Sequence, residues 1–407
     1  MADGVPDPAD FGDNPFANLP MFGELARALA GQGPLNWDAA RQFAALSVGG
    51  GVGEPNVDPT VRIQLGELAR IVEMHVRDLT GSEATFPEVT PVTRGVWAQR
   101  TLEAYRPLFT ELATSLGRRR AESEAGTEVG TEIDAESGDP MMAMMANLSQ
   151  MMAPAMMGLA VGSMVGRMAA RTFGQYDLPI PRADNALLVV PANIDHFATE
   201  WGLQVDEMRL WVLAQELIGH ALFAITSLRN QFAALVRRHV SGFRPDPAAV
   251  GERLVSLEGE GMNDPMQFMQ QLLGDPALLL GAVQSPEQLA MAPQLDAAVA
   301  AVVGYVDYMV DGVAVRVIGG DSLRIAEAVR RRRVEASPED LFVERLLGLQ
   351  LTQEQIQRGK TFIAGAVDRL SGESAEASLT SMFALPDALP TPAELDAPGL
   401  WIARLSL

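Results

Sequence analysis

Apolar residues recur at helical spacing along most of the chain, and one short run, Leu187-Leu188-Val189-Val190, reads as a strand bounded by Asn185 and Pro191. Phe22 to Leu29 reads as a helix, and Gly49-Gly50-Gly51 as a joint. Asp58-Pro59 then opens a helix whose stripe is Ile63, Leu65, Leu68, Ile71, Val72, Met74 and Val76. Thr93 to Leu116 predicts a third helix, broken at Pro107. Gln175 to Pro181 is an extended connector, because a residue before proline avoids α geometry. Asn193 to Gly202 is helical, and Val205-Asp206 opens a long helical region covering 206–225.

Helix starts are most legible in the C-terminal half. Ser285-Pro286-Glu287-Gln288 and Thr391-Pro392-Ala393-Glu394 each place a capping hydroxyl, a proline in the first turn and a Gln or Glu three residues on. Thr352-Gln353-Glu354-Gln355 repeats the box without proline, and Ser337-Pro338-Glu339-Asp340 is a weaker relative. The expected class is mainly α with a small strand element. Three regions are expected: an N-terminal helical region at 1–120, a mobile acidic insertion at 121–140 that is polar and aperiodic, and a helical core at 141–407.

Apolar residues make up 48% of the 407, enough for a sizeable core. A net charge of −21 repels phosphate backbones and disfavours nucleic acid. Absence of cysteine removes disulfides, thiolate metal sites and thiol nucleophiles. No signal peptide is readable in the acidic first residues, so the expected address is the cytoplasm. Met141 to Met168 carries half of the 20 methionines, with Gly158, Gly162 and Gly166 four apart. Its unbroken apolar part, from about Met151 to Gly166, is shorter than the roughly 20 residues a bilayer requires, and Pro154 interrupts it. It reads as a core helix, not a transmembrane span. Arg330 to Arg333 fan around a helix opened near Ser322, so they suit acidic neighbours rather than one binding face.

The chemistry concentrates in Trp211 to Leu222, W-V-L-A-Q-E-L-I-G-H-A-L. A zincin helix carries H-E-x-x-H, two histidines one turn apart for Zn²⁺ and a glutamate between them to activate water. Here Glu216 has the glutamate's place. Gln215 and Gly219 have those of the histidines, and His220 is one position too far along. Glu216 and His220 share a helical face, where a Glu–His hydrogen bond over a polar cavity is expected. His196 reads as a surface residue at a helix end, and His239 as a cation near a helix C-terminus.

Several further segments resemble one family. They are Asn14 to Phe22, Glu54 to Pro59, Gln175 to Pro179, Val205 to Val212 and the closing Asp396-Ala397-Pro398-Gly399-Leu400-Trp401. Together they resemble the actinobacterial zincin-like metallopeptidases, whose members often carry a label as hydrolases associated with coenzyme F420 biosynthesis. No residue here supports the F420 link on its own. The resemblance implies a zincin-like, mainly helical fold. It equates Glu216 with the catalytic glutamate, and Gln215 and Gly219 with the two zinc histidines. The third, acidic ligand falls on the helix Val299 to Asp311, where this chain has Val302-Val303.

An amide, a bare α-carbon and an aliphatic chain are a poor donor set for zinc. The reading is therefore a family member without zinc or peptidase activity, with no cofactor expected. It would act as a cytoplasmic binding or scaffolding protein. The alternative is an active zinc hydrolase with the metal displaced onto Glu216, His220 and Asp307. A protein or peptide partner would find the old cleft along Leu187 to Val190, adding as an extra strand. The methionine-rich segment is the place expected for a homo- or hetero-oligomer contact.

Overall fold

A computed structural model describes residues 33–49, 54–127, 140–182, 184, 186–245, 282–283, 285–334, 346–349, 351–370 and 374–407. The expected helix at Phe22 to Leu29 and the Ser337 box lie outside these. The fold is mainly helical, as the periodicity indicates, and one continuous apolar core joins Leu35 near one end to Trp401 near the other.

The first described helices are α1 (Trp37–Gly49) and α2 (Pro59–Thr80). Asp58 caps α2 by accepting from the Thr60 amide, and Gly81 ends it in the left-handed region. Only part of the expected stripe turns inward. Leu65, Val72 and Val76 are buried with Ala69 and Leu79, while Ile63, Ile71 and Met74 stay exposed. Strand β1 (Val89–Pro91) leads to α3 (Arg94–Ala104) and α4 (Arg106–Thr127). The expected break is there, at Tyr105 rather than at Pro107, which sits in the first turn of α4 where a missing N–H costs no bond. Helix α4 also runs to Thr127, so the opening of the expected acidic insertion is helical.

Helix α5 (Pro140–Arg171) continues through Pro154, whose carbonyl accepts from the Asn36 amide of the α1 entry (2.9 Å). Its stripe of Gly158, Gly162 and Gly166 rides on α1. A Cβ on Gly162 would stand 2.3 Å from the Ala40 carbonyl oxygen, so only glycine lets the two backbones close. The stripe is packing, as expected.

Strand β2 (Leu187–Val189) confirms the one strand expected, and pairs in parallel with β1 in the register Val89–Leu187, Thr90–Leu188 and Pro91–Val189. Its other side is also taken. Gly174 forms an antiparallel bridge to Val189, and the Val190 amide donates to the Phe173 carbonyl (2.8 Å). The strand is buried throughout. An incoming peptide therefore cannot extend it, which corrects the expected docking edge.

Next come α6 (Pro191–Glu200), α7 (Val205–Ala224) and α8 (Thr226–Ser241), the last two bent by 94° about Ile225. His239 lies in the last turn of α8, as expected, and is buried against Phe243. The short strands β3 (Arg244–Pro245) and β4 (Ala282–Val283) pair antiparallel. Helices α9 (Pro286–Val317), α10 (Ser322–Val334), α11 (Gln353–Val367), α12 (Ala375–Met382), α13 (Pro392–Asp396) and α14 (Pro398–Leu405) complete the described chain. The capping boxes at Ser285 and Thr391 form in full. At Thr352 the hydroxyl accepts from Gln355, but that residue's side chain makes no return bond. Among the described residues α9 is the helix long and apolar enough to cross a membrane, and 78% of its apolar window is buried inside the fold. Helix α7 lies at the centre, packed by α2, α6, α8 and α9.

Candidate functional site

Every residue of α7 from Trp211 to Phe223 is buried. A helix apolar all round must be covered on every side, so its polar residues, Gln215, Glu216 and His220, need partners from the elements packed on it. The connector after α5 supplies most of them.

Glu216 is fully buried. Its carboxylate accepts from the Gln175 amide (2.8 Å) and from the Tyr176 amide (3.1 and 3.0 Å to its two oxygens). Burial pushes this carboxyl well above the ordinary 4.5, and the charge of Asp177 pushes the same way, while the two amides and Arg182 oppose. The glutamate is thereby bound to a strip of the protein's own backbone.

His220 is buried, and its Nδ1 lies 3.4 Å from the Tyr176 hydroxyl. Burial pulls its pKa below the ordinary 6.5. The expected hydrogen bond between Glu216 and His220 does not form. Each is held by a different part of Tyr176, the one by its amide and the other by its hydroxyl.

Gln215, Gly219 and Val303 do come together. They line one cavity of about 20 Å³ with Tyr176, Asp177, Asp307 and Arg333, and Leu351 and Ile356 cover it. Such a space holds about one water molecule. At Gly219 the absent side chain makes room for the Tyr176 ring, whose Cγ would lie 2.8 Å from an added Cβ. Gln215 donates through Nε2 to Asp177 Oδ1 (3.0 Å) and faces Arg333 Nη2 through Oε1 (3.5 Å). Arg333 Nη1 donates to Asp307 Oδ1 (2.9 Å). The other Asp307 oxygen has no hydrogen-bond partner, with Arg330 Nε at 4.0 Å. Asp177 Oδ2 accepts from the Phe173 amide (2.6 Å) and lies 3.4 Å from Arg332 Nη2.

The four arginines thus fan out as the helical spacing predicts. Arg330 pairs with Asp311 (2.7 Å), Arg332 with Asp177 and Arg333 with Asp307. Tyr176, Asp177 and Arg333 are the site residues that sequence reasoning left unassigned. Their signals were the connector segment and the arginine run, each read as structural.

Zinc needs three protein donors around an open position, and these residues do not fit it. Gln215 is bonded at both ends of its amide, Gly219 is covered by a ring, and Val303 offers methyl groups. The set Glu216, His220 and Asp307 is not gathered either. Asp307 faces the small cavity with Gln215, while Glu216 and His220 turn to the Tyr176 backbone and hydroxyl. Among the described residues, no three or more His, Asp or Glu are grouped so as to hold a metal ion.

Comparison with known proteins agrees with the architecture. The zincin-like metallopeptidase family model matches residues 35–402. No curated protein matches the chain. Among solved structures, a crystal structure from Chloroflexus aurantiacus, provisionally described as a hydrolase with a novel fold, aligns with a TM-score of 0.54 at 20% identity. The match covers 91% of this chain and 99% of that one. At that identity the likeness speaks to the fold alone.

Proposed function

This chain belongs to the zincin-like metallopeptidase family, and we propose that it keeps the fold without the metal, serving as a binding or scaffolding protein in the cytoplasm. The observation that carries this reading is the convergence of Gln215, Gly219 and Val303 on a cavity of about 20 Å³, lined also by Tyr176 and by the Arg333–Asp307 pair. In a zinc hydrolase the metal lowers the pKa of its bound water from 15.7 to about 7. Without it Glu216 has no activated water to act on, and both its oxygens already accept from backbone amides.

Arg333 compensates Asp307 as a metal would compensate an acidic ligand, and Gln215 bridges that pair to Asp177. The partner would be a protein or a second copy of the chain, meeting a surface other than the closed edge of β2. Thermal unfolding with and without added zinc tests the reading. A ligand that binds only the folded state raises the midpoint by mass action. No shift is expected here. A shift with zinc that disappears in His220→Ala would instead favour a displaced site on Glu216, His220 and Asp307.

A further inference from the structure

A second cavity, of about 230 Å³, opens between the end of α5, α6 and α10. Its walls are Phe173, Phe197 and Trp201, with Arg332 and Arg171 among them and His196 and Glu200 on exposed turns of α6. We propose that this pocket binds a small aromatic carboxylate, its acid group at the Arg332 guanidinium and its ring against Phe197 and Trp201.

Three observations point there. Arg332 is only 18% exposed, and its bonds to described residues all leave from Nη2, to the Arg171 carbonyl (2.5 Å) and to Asp177 (3.4 Å). Nε and Nη1 remain as donors on a side chain that lines the cavity. One face of the guanidinium lies 3.7 Å from the centre of the Phe173 ring, which fixes its plane.

Local charge is the second. Arg332 has Arg171 and Arg333 as neighbouring cations and Asp177 as the opposing carboxylate, in a chain whose net charge is −21. Burial and those two cations depress its pKa, a cost that an anion beside it would relieve. The third is the aromatic wall. Phe197 and Trp201 have ring centres 5.5 Å apart, and Arg331 covers Trp201 at 5.7 Å. Flat apolar walls ending in a half-buried cation suit a ring that carries a carboxylate. The volume lies below the roughly 300–1,000 Å³ of sites for drug-sized ligands, which limits the occupant to about a single ring.

Calorimetric titration of the whole chain with benzoate, benzamide, acetate and inorganic phosphate tests this. Benzoate should bind, and each of the other three at least about tenfold more weakly: benzamide lacks the charge that Arg332 would meet, and acetate and phosphate lack the ring that Phe197 and Trp201 would hold. Arg332→Gln should abolish binding. Because that change also removes the bond to the Arg171 carbonyl, Ala170→Trp is the second variant. Ala170 is exposed on the cavity rim, so the new ring fills the space and leaves every charge in place. It too should abolish binding in a folded protein. Absence of benzoate binding, benzamide binding as tightly as benzoate, or full binding by Ala170→Trp would each overturn the proposal. None of these outcomes depends on whether α7 holds zinc.

Discussion

At Gly219 the absence of a side chain removes a metal ligand and admits the Tyr176 ring, so one position both disarms the helix and seals it. Gly219→Ala should therefore destabilise the protein by about 1–3 kcal/mol, the usual cost of forcing extra volume into a packed interior. Denaturant unfolding measures it, and a change below about 0.5 kcal/mol would mean the ring yields freely. Glu216 permits a pH test. Burial raises its carboxyl above 4.5 in the fold, so the neutral form favours folding below that value. The advantage is lost as pH rises toward the raised folded value. Glu216→Gln cannot ionise, so the stability of the native protein relative to this variant should fall as pH rises from about 4.5 towards the raised folded value. A difference that grew with pH would show the Gln175 and Tyr176 amides holding a charged carboxylate. The helix, the place of Glu216 in it and the loss of histidines at 215 and 219 were all legible in sequence. The partners were not, because Tyr176 and Asp177 lie some forty positions upstream and only the fold brings them over α7.

Among the elements, α10 shows how a charge run becomes interior architecture. Its arginines dock it on α9 and on the connector after α5 by ion pairs, with Arg333 and Asp307 at the zincin-helix cavity. Breaking one partner of a buried pair strands the other, so Arg333→Ala should cost about 3 kcal/mol by leaving Asp307 only the more distant Arg330 (4.0 Å) as a cation. The double change Arg333→Met with Asp307→Leu should cost less than Arg333→Ala alone, because no charge is left uncompensated. Equal costs in a double-mutant cycle would place the stabilisation in packing instead. The elements most readable in sequence were those with chemical punctuation. The boxes at Ser285 and Thr391 and the cap at Asp58 mark helix starts that the structure confirms. Strand β1 escaped because three residues ending in proline carry no periodicity, and its existence depends on β2 lying alongside. The docking edge on β2 failed for the same reason. Nothing in Leu187 to Val190 announces that residues 173 and 174 return to cover it.

For the molecule as a whole, a mainly helical fold of the zincin-like metallopeptidase family surrounds a helix with no face left open. The balance of charge follows the same logic: acidic side chains give the chain its net −21, while arginines of α10 are drawn inward to meet Asp177, Asp307 and Asp311. A fold can keep its architecture while its chemistry changes, because the apolar packing of α7 against α2, α6, α8 and α9 does not depend on which donors project from the helix. Elemental analysis of the purified chain, after equilibration with zinc and removal of the unbound metal, tests this account most directly. Zinc far below one equivalent per chain is the result it predicts. A full equivalent, lost on Glu216→Ala or His220→Ala, would contradict it.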